Sequence, residues 1–134
     1  MRITLVGSRY FGVAVLEMLR RHDVEIARVV VHDGEDRLAA AARAADIPVV
    51  VQANPKQVVA EEIAPGTELI ITAHSHARVT RAALAVASLG GIGYHPSLLP
   101  RHRGLAAVEW TIKAIRSPAA PSIISPTGWM PAAS

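Results

Sequence analysis

The sequence predicts an α/β fold: a doubly wound parallel sheet with helices on both faces. Three observations lead to this prediction. Short apolar segments bounded by turn residues alternate with segments of helical character along the chain. Most of these apolar segments lack polar alternation, as expected for strands that are buried on both sides. The chain has 134 residues, which suits one compact domain. Together these features favour a Rossmann-like domain with right-handed crossovers.

The first half of the chain predicts three strands and three helices. Strands are expected over residues 2–6, 25–32 and 48–51, which are short, apolar and rich in β-branched residues. An apolar stripe predicts a helix over residues 11–21, and an Ala-rich segment predicts another over residues 36–45. A third helix is expected to begin at Asn54, because asparagine is a good N-cap and Pro55 suits the first helical position.

The second half continues the same alternation. Strands are predicted over residues 69–73 and 91–94, and helices over residues 79–87 and from 106 to 112. In such a sheet, ligands bind at the carboxyl ends of the strands. Candidate functional segments are therefore residues 7–12, 32–34, 73–77 and 94–104.

The composition excludes several classes of protein. Hydrophobic residues make up 51% of the chain and charged residues 19%, so a disordered chain is not expected. No apolar run reaches the roughly 18 residues of a membrane span, and no secretion leader is visible. Cysteine is absent, which excludes disulfides, thiolate zinc sites and cysteine nucleophiles. We expect no membrane association and a cytoplasmic location.

The distribution of basic residues along the sequence does not predict a nucleic-acid-binding surface. The formal net charge is +3, but the basic residues are dispersed along the chain. Their only clusters are Arg20 with Arg21, and Arg101, His102 and Arg103, too few for a stripe of six or more phosphate contacts. General nucleic-acid binding is therefore not favoured.

The glycines of the first strand–helix turn do not match a nucleotide-binding motif. The segment GSRYFG has Gly7 and Gly12 but lacks the middle glycine of G-x-G-x-x-G, and Asp36 begins a helix instead of ending the second strand. No G-K-[ST] sequence occurs anywhere. Neither NAD nor a Walker-type phosphate site is predicted.

Two histidines, His74 and His76, follow the fourth strand with one residue between them. In an extended segment both rings would lie on one face, as a metal site requires, and His95 could be a third ligand. No carboxylate is nearby in the sequence. The favoured interpretation is that these polar side chains face a solvated cleft, and no metal is expected.

The segment GIGYHPSLLPRHRG, residues 91–104, is the most informative part of the sequence. His95 leaves the end of a strand, Pro96 and Pro100 stiffen the following turn, and Leu98 and Leu99 stay apolar within a loop. Such a rigid loop suits a positioned catalytic group. The alternative is structural, with His95 capping the sheet and both leucines filling the core.

The sequence HPSLLPRHRG resembles the loop of formyltransferases that use 10-formyltetrahydrofolate. The resemblance extends over most of the chain, from MRITLVGSRYFG through LIITAHSHA to AAVEWTI. It implies that an Asn, a His and an Asp surround the formyl group while an amine attacks it, and His95 takes the histidine position. It also implies a substrate and folate surface formed by Ala73, His74, Ser97, Leu98, Leu99, Pro100, Arg103 and Gly104.

Two positions depart from the family pattern. The family asparagine stands two residues before the histidine, where this chain has Gly93. The family aspartate should follow the next strand in a D-x-x-D-A-G context, yet residues 114–134 contain no Asp or Glu. Loss of one oxyanion donor costs on the order of a hundredfold in rate. We therefore expect negligible formyl transfer from this chain.

The tail over residues 114–134 is rich in proline, has no periodicity and is not expected to supply the next strand, which leaves the sheet edge unpaired. In a reading frame shifted by one base it can encode GDPVTGGTIYHLADGMDAGGI, which resembles the family at this place. Trp129 and Met130 have one codon each, so with Pro131 they force Asp-Ala in that frame. We interpret residues 1–113 as a partial formyltransferase domain and residues 114–134 as out-of-frame.

Three functional interpretations follow from the resemblance. The first is an impaired formyltransferase whose acceptor is an amine on aminoacyl-tRNA, on a ribonucleotide or on a sugar nucleotide. The second is a folate-type binding module without catalysis, consistent with Gly93 and the missing aspartate. The third is a truncated gene product without function. The oligomeric state stays open.

Overall fold

The computed structural model describes residues 1–93 throughout and residues 122–124 as backbone. Its helices are α1 (Arg9–Arg21), α2 (Arg37–Ala44) and α3 (Arg81–Val86), and a 3-10 turn spans Ala60–Glu62. Its strands are β1 (Arg2–Gly7), β2 (Glu25–Val31), β3 (Val49–Val51), β4 (Gln57–Val58), β5 (Leu69–Ala73), β6 (Arg78–Val79), β7 (Gly91–Gly93) and β8 (Ser122–Ile124). No helix among the described residues is long and apolar enough to cross a membrane.

The main sheet has the strand order β3-β2-β1-β5-β7-β8 in the described residues. Neighbours from β3 to β7 are parallel, and β8 pairs antiparallel with β7 at the edge. Strands β4 and β6 form a separate parallel pair. The order reverses beside β1, where the chain crosses to β5, so β1 and β5 flank the crevice that binds ligands in such folds. The predicted doubly wound α/β class is confirmed.

Helices α1 and α2 cover one face of the sheet. Leu16 and Leu19 of α1 and Leu38 of α2 are buried in one cluster with alternate strand residues such as Leu5 and Val29. Leu16 and Leu19 are three residues apart, which puts both side chains on the same side of α1. This apolar packing fixes the two helices that follow β1 and β2.

Shorter segments cover the opposite face. The intervening strand residues, among them Val6, Val30 and Ile70, pack against Val58 of β4 and Leu84 of α3. Because side chains alternate along a strand, Leu5 and Val6 point to opposite faces of the sheet. The sheet is therefore buried on both sides, as its apolar strands predict.

Buried polar side chains fasten these shorter segments. Glu62 is 6% exposed, and its carboxylate oxygens accept hydrogen bonds from the N–H groups of Val59 (2.9 Å) and Ala53 (3.0 Å). The hydroxyls of Thr4 and Thr67 lie 2.8 Å apart, and that of Thr67 donates to the Ala64 carbonyl oxygen at 2.6 Å. Buried polar groups are tolerated because each has partners.

The prediction of a helix that begins at Asn54 is wrong. Asn54 instead accepts a hydrogen bond from the Lys56 N–H at 2.9 Å through its side chain, and it forms an isolated bridge with Gln57. Asparagine followed by proline also favours a tight turn, and the structure has a turn here. The chain then enters β4 and the 3-10 turn.

The other predicted elements of residues 1–93 are present, β5 with the predicted bounds and the rest with shifted ends. The helix α1 begins two residues before its prediction, at Arg9, and β1 runs one residue further, to Gly7. The helix predicted over residues 79–87 spans only Arg81–Val86, because Thr80 caps it by accepting from the Ala83 N–H at 3.1 Å. Residues 78–79 pair with β4 instead.

The expectation that the tail supplies no strand and leaves the sheet edge unpaired is also wrong. Ser122–Ile124 pairs with β7, with Ile123 opposite Ile92 and Ile124 opposite Gly91. Two consecutive isoleucines favour extended backbone, and prolines are tolerated beside an edge strand. The predicted helix over residues 106–112 lies outside the described residues.

Candidate functional site

A cleft of about 180 Å³ lies at the carboxyl edge of the sheet, where the strands β1, β2, β3 and β5 end. This is the place where the fold predicts a ligand. The residues that line it are Gly7, Ser8, Arg9, His32, Gln52, Pro55, His74, Ser75, His76 and Ala77.

The turn after β1 is bonded tightly to the end of β5. Ser8 donates its backbone N–H to the Ala73 carbonyl oxygen at 3.1 Å, and its hydroxyl donates to the His74 carbonyl oxygen at 2.7 Å. Gly7 has no room for a side chain, because a Cβ there would collide with the Ala73 carbonyl. The close approach of the two strand ends therefore requires glycine at position 7.

Two residues at this edge adopt the left-handed backbone conformation. Arg9 and His74 each have a φ of 59°. For residues other than glycine this conformation is uncommon, and it is enriched at functional sites. The Arg9 N–H donates to Asp36 Oδ2 at 2.9 Å, and the same oxygen caps α2 by accepting from the Leu38 N–H at 2.8 Å. Asp36 thus joins the β1–α1 turn to α2.

The imidazoles of the cleft form a cluster. The ring centroids of His74 and His76 lie 5.4 Å apart, with the ring planes inclined by 51°. Burial lowers the pKa of His74, and the nearby His76, Arg9 and His32 lower it further, while Asp36 opposes them by raising it. The neutral ring of His74 is therefore favoured near pH 7.

The metal hypothesis gains no third ligand from the described residues. Within residues 1–93 there is no group of three His, Cys, Asp or Glu side chains that could hold a metal ion. His74 and His76 line an open cleft, which agrees with the interpretation favoured from the sequence.

Only part of the predicted site lies in the described residues. Ala73 is buried at the end of β5, and His74 lines the cleft. Gly93, at the end of β7, pairs with Thr72 of β5 and so lies at the same edge of the sheet. The other predicted site residues lie outside the described residues, and they are His95, Ser97, Leu98, Leu99, Pro100, Arg103 and Gly104. Because parallel strands end at one edge, the sequence also predicts that residues 95–104 lie beside residues 7–12 and 73–76, and this prediction falls outside the described residues too.

The sequence missed two lining residues, Gln52 and Pro55. The Gln52 side chain is buried, and its Nε2 donates to the carbonyl oxygens of Asn54 (3.1 Å) and Gln57 (3.2 Å). Gln52 directly follows β3, so the rule that points to the ends of β1, β2 and β5 would have found it had it been applied to that strand as well.

Comparison with known proteins identifies the class to which this fold and cleft belong. A family model described as "Formyl transferase" matches residues 1–123. The chain therefore belongs to the formyl transferase family.

The curated relatives are longer proteins. Mouse (Mus musculus) cytosolic 10-formyltetrahydrofolate dehydrogenase is 35% identical over 124 residues, covering 84% of this chain and 14% of that protein. The methionyl-tRNA formyltransferase of Syntrophus aciditrophicus is 32% identical over 124 residues, covering 82% of this chain and 39% of that protein. The chain thus spans well under half the length of these relatives.

Solved structures share the fold. The phosphoribosylglycinamide formyltransferase of Bacillus halodurans superposes with a TM-score of 0.69 at 17% identity, covering 93% of this chain and 80% of that one. The enzyme of the same name from Anaplasma phagocytophilum gives a TM-score of 0.67 at 24% identity, covering 85% of this chain and 58% of that one.

Proposed function

We propose that this chain is an impaired formyltransferase domain that takes its formyl group from 10-formyltetrahydrofolate and passes it to an amine. The observation that carries the proposal is the family match over residues 1–123, which includes the sequence HPSLLPRHRG at residues 95–104. In the proposal His95 is the catalytic residue. It follows the last residue of β7 by two positions, and β7 adjoins β5 at the cleft edge.

The folate surface of the proposal combines two segments of the chain. Ala73 is the last residue of β5, and His74 directly follows it and lines the cleft, which supports the assignment of His74. The rest of the surface would come from residues that follow β7 in the sequence, namely Ser97, Leu98, Leu99, Pro100, Arg103 and Gly104. Prolines and leucines at these positions suit a rigid wall against an aromatic ring.

In the proposed formyl transfer, His95 donates a hydrogen bond to the developing oxyanion and exchanges a proton with the attacking amine. Gly93 has no side-chain donor where the family has asparagine. One missing donor lowers the reaction rate on the order of a hundredfold. The glycine should therefore impair formyl transfer more than it impairs folate binding.

A formyl-transfer assay with 10-formyltetrahydrofolate tests the proposal. We expect negligible turnover by the chain as it stands and by Gly93→Asn alone, because residues 114–134 still lack the family aspartate. A chain that combines Gly93→Asn with GDPVTGGTIYHLADGMDAGGI in place of residues 114–134 should give measurable turnover, and adding His95→Ala should abolish it. A Gly93→Ala variant is the matched control, because it adds a side chain without a donor. The proposal is wrong if the histidine substitution leaves turnover unchanged.

The second candidate is a folate-binding module without catalysis, which the glycine at position 93 favours. Titration with 10-formyltetrahydrofolate separates the two candidates when it is run beside the transfer assay. Binding by all variants, with no turnover even when Gly93→Asn is combined with the shifted-frame tail, would favour the module. The acceptor within the first candidate is methionyl-tRNA, by similarity to the Syntrophus relative. A ribonucleotide amine is the competing acceptor to include in the assay.

We also propose that residues 114–134 are read out of frame and that the parent protein carries the catalytic aspartate in the shifted frame. The support is the forced Asp-Ala that Trp129, Met130 and Pro131 encode there. The DNA sequence around the Lys113 codon tests it. A continuous, unshifted frame in independent sequencing would contradict it.

A cytoplasmic location stays a prediction, to be tested by fractionation.

A further inference from the structure

One edge of the main sheet is formed by β3, which has β2 on one side and no strand on the other among the described residues. We propose that this edge pairs with the β3 edge of a second copy of the chain, antiparallel and about a twofold axis, so that two sheets join into one. The inference concerns association alone and does not depend on formyl transfer.

The hydrogen bonds to β2 show which backbone groups of this edge face outward. The Pro48 carbonyl oxygen accepts from an N–H of β2 at 2.9 Å, and the Gln52 N–H donates to a carbonyl oxygen of β2 at 2.8 Å. In an extended strand the N–H and C=O of one residue point to the same side, and successive residues alternate. The backbone groups of Val49 and Val51 therefore point away from β2.

These outward groups are arranged to match a copy of themselves. Val49 and Val51 stand symmetrically about Val50, so a twofold axis beside Val50 sets Val49 of each copy opposite Val51 of the other. The residues of each such pair exchange both of their N–H···O bonds. Because the same patch is used on both copies, this pairing closes at the dimer.

The β3 edge lacks the features that usually keep edge strands apart. Residues 47–55 contain no charged residue, and β3 pairs with β2 without a bulge. Pro48 does not block the edge, because its backbone faces β2. The opposite edge differs, since Pro121 and Pro126 directly flank β8. Association is therefore expected at β3 and not at β8.

The pairing also buries apolar side chains. Val51 is 49% exposed, whereas Val49 packs against the core under α1 and α2. Side chains alternate along a strand, so both valines lie on the same face, and each Val51 would pack beside Val49 of the partner subunit. A strand of three residues buries little area, so the dimer should be weak and depend on concentration.

Charges at the two ends of the segment favour the antiparallel arrangement. Asp46 precedes it and Lys56 follows it, both side chains are exposed, and neither makes an ion pair within residues 1–93. Antiparallel pairing directs each Asp46 toward Lys56 of the partner subunit, and parallel pairing would place like charges together. This complementarity favours a second copy over an unrelated extended peptide.

Sedimentation velocity of the full chain, at concentrations from about 1 µM to about 1 mM, tests the proposal. We expect the mass to rise with concentration toward twice that of the chain and no further. Val51→Pro removes an outward N–H without removing a bond to β2, so it should weaken the dimer on the order of thirtyfold, the effect of one lost hydrogen bond on each copy. Val51→Thr is the matched control, because it keeps the N–H and the branched shape and should dimerise as the unsubstituted chain does.

A charge reversal tests the orientation of the two strands. Lys56→Glu replaces an attractive pair by like charges and should weaken the dimer about two- to fivefold, an effect that added salt reduces. Arg81→Glu reverses the charge of an exposed arginine on α3 and should leave the dimer unchanged.

Urea unfolding at low protein concentration shows whether each variant is folded. If Val51→Pro unfolds at a lower urea concentration than Val51→Thr, Val51→Lys replaces it in the test, since a lysine on an edge strand opposes pairing and keeps the backbone N–H. The proposal is overturned if the unsubstituted chain stays monomeric at about 1 mM, if it grows beyond a dimer, or if the variant that blocks the edge associates as tightly as Val51→Thr. None of these readouts measures formyl transfer, so its failure would be seen separately.

Discussion

The two faces of the sheet are covered by different means. On one face, the long helices α1 and α2 bury leucines such as Leu16 and Leu38 against the strands. On the other, a two-residue strand pair, a 3-10 turn and the six-residue α3 are fastened by buried polar groups, of which Glu62 and Thr67 are examples.

The difference shows what each covering requires. Apolar helix packing is non-directional, and its strength scales with the area removed from water. Short segments bury too little area for that, so hydrogen bonds with defined partners must set their positions. Substitutions on the two faces should therefore fail for different reasons.

The largest effect is expected on the helical face. Leu16→Ala removes a fully buried side chain and leaves a cavity, so the free energy of unfolding should fall by about 2–5 kcal/mol. Leu89→Ala, at a leucine that is 55% exposed, should change it by less than about 0.5 kcal/mol. Urea unfolding measures both. Equal losses for the two variants would mean that this face is not held by apolar packing.

The next effect is expected on the polar face. Glu62→Ala leaves the N–H groups of Val59 and Ala53 without their acceptor, which should cost about 1–3 kcal/mol. Glu61→Ala is the control, because Glu61 is the exposed neighbour in the same 3-10 turn. If the two variants unfold at the same urea concentration, the carboxylate does not fasten this face.

A smaller effect is expected at the junction of α2 with the cleft. Asp36→Ala should cost about 1 kcal/mol through the lost cap, and Asp36→Asn less, because the amide oxygen still accepts. Both variants should lower the pKa of His74 further, since the carboxylate is the group that raises it. NMR titration checks this. A pKa that stays the same in both variants would remove Asp36 from the electrostatics of the cleft.

The smallest effect is the pH dependence that His74 brings. Its folded-state pKa is lowered from the ordinary value of 6.5, so just below that pH the unfolded chain binds more protons than the folded one. Stability should thus be lost as the pH falls from about 6.5 through the folded-state pKa, and His74→Gln should reduce that loss. His22→Gln serves as the control. Urea midpoints measured across this range decide the point.

The same contrast governs how much could be predicted from the sequence. Residues 2–6 and 69–73 predict β1 and β5 to within one residue, because buried parallel strands have an unmistakable apolar pattern. The path of the segment after Asn54 is not predicted, since it depends on the side chains of Gln52 and Glu62, which bond to backbone groups five and nine residues away. Such contacts leave no periodic signal.

The candidate site divides in a similar way. The rule that ligands bind at strand ends predicts the edge where Ser8, His32 and His74 line one cleft. The left-handed conformations of Arg9 and His74 could not be predicted, because they arise from hydrogen bonds between turns that lie far apart in the sequence. The assignments in residues 94–104 remain predictions.

The left-handed backbone at Arg9 and His74 constrains how this cleft can change by mutation. At both positions glycine is the residue that the backbone accepts most easily, and asparagine the next. Most other substitutions would keep the strain while losing the basic side chain. The accessible mutational routes from these two residues therefore lead toward a larger, neutral cleft in a more stable fold, so basic character of the cleft and fold stability at this edge are expected to evolve in opposite directions.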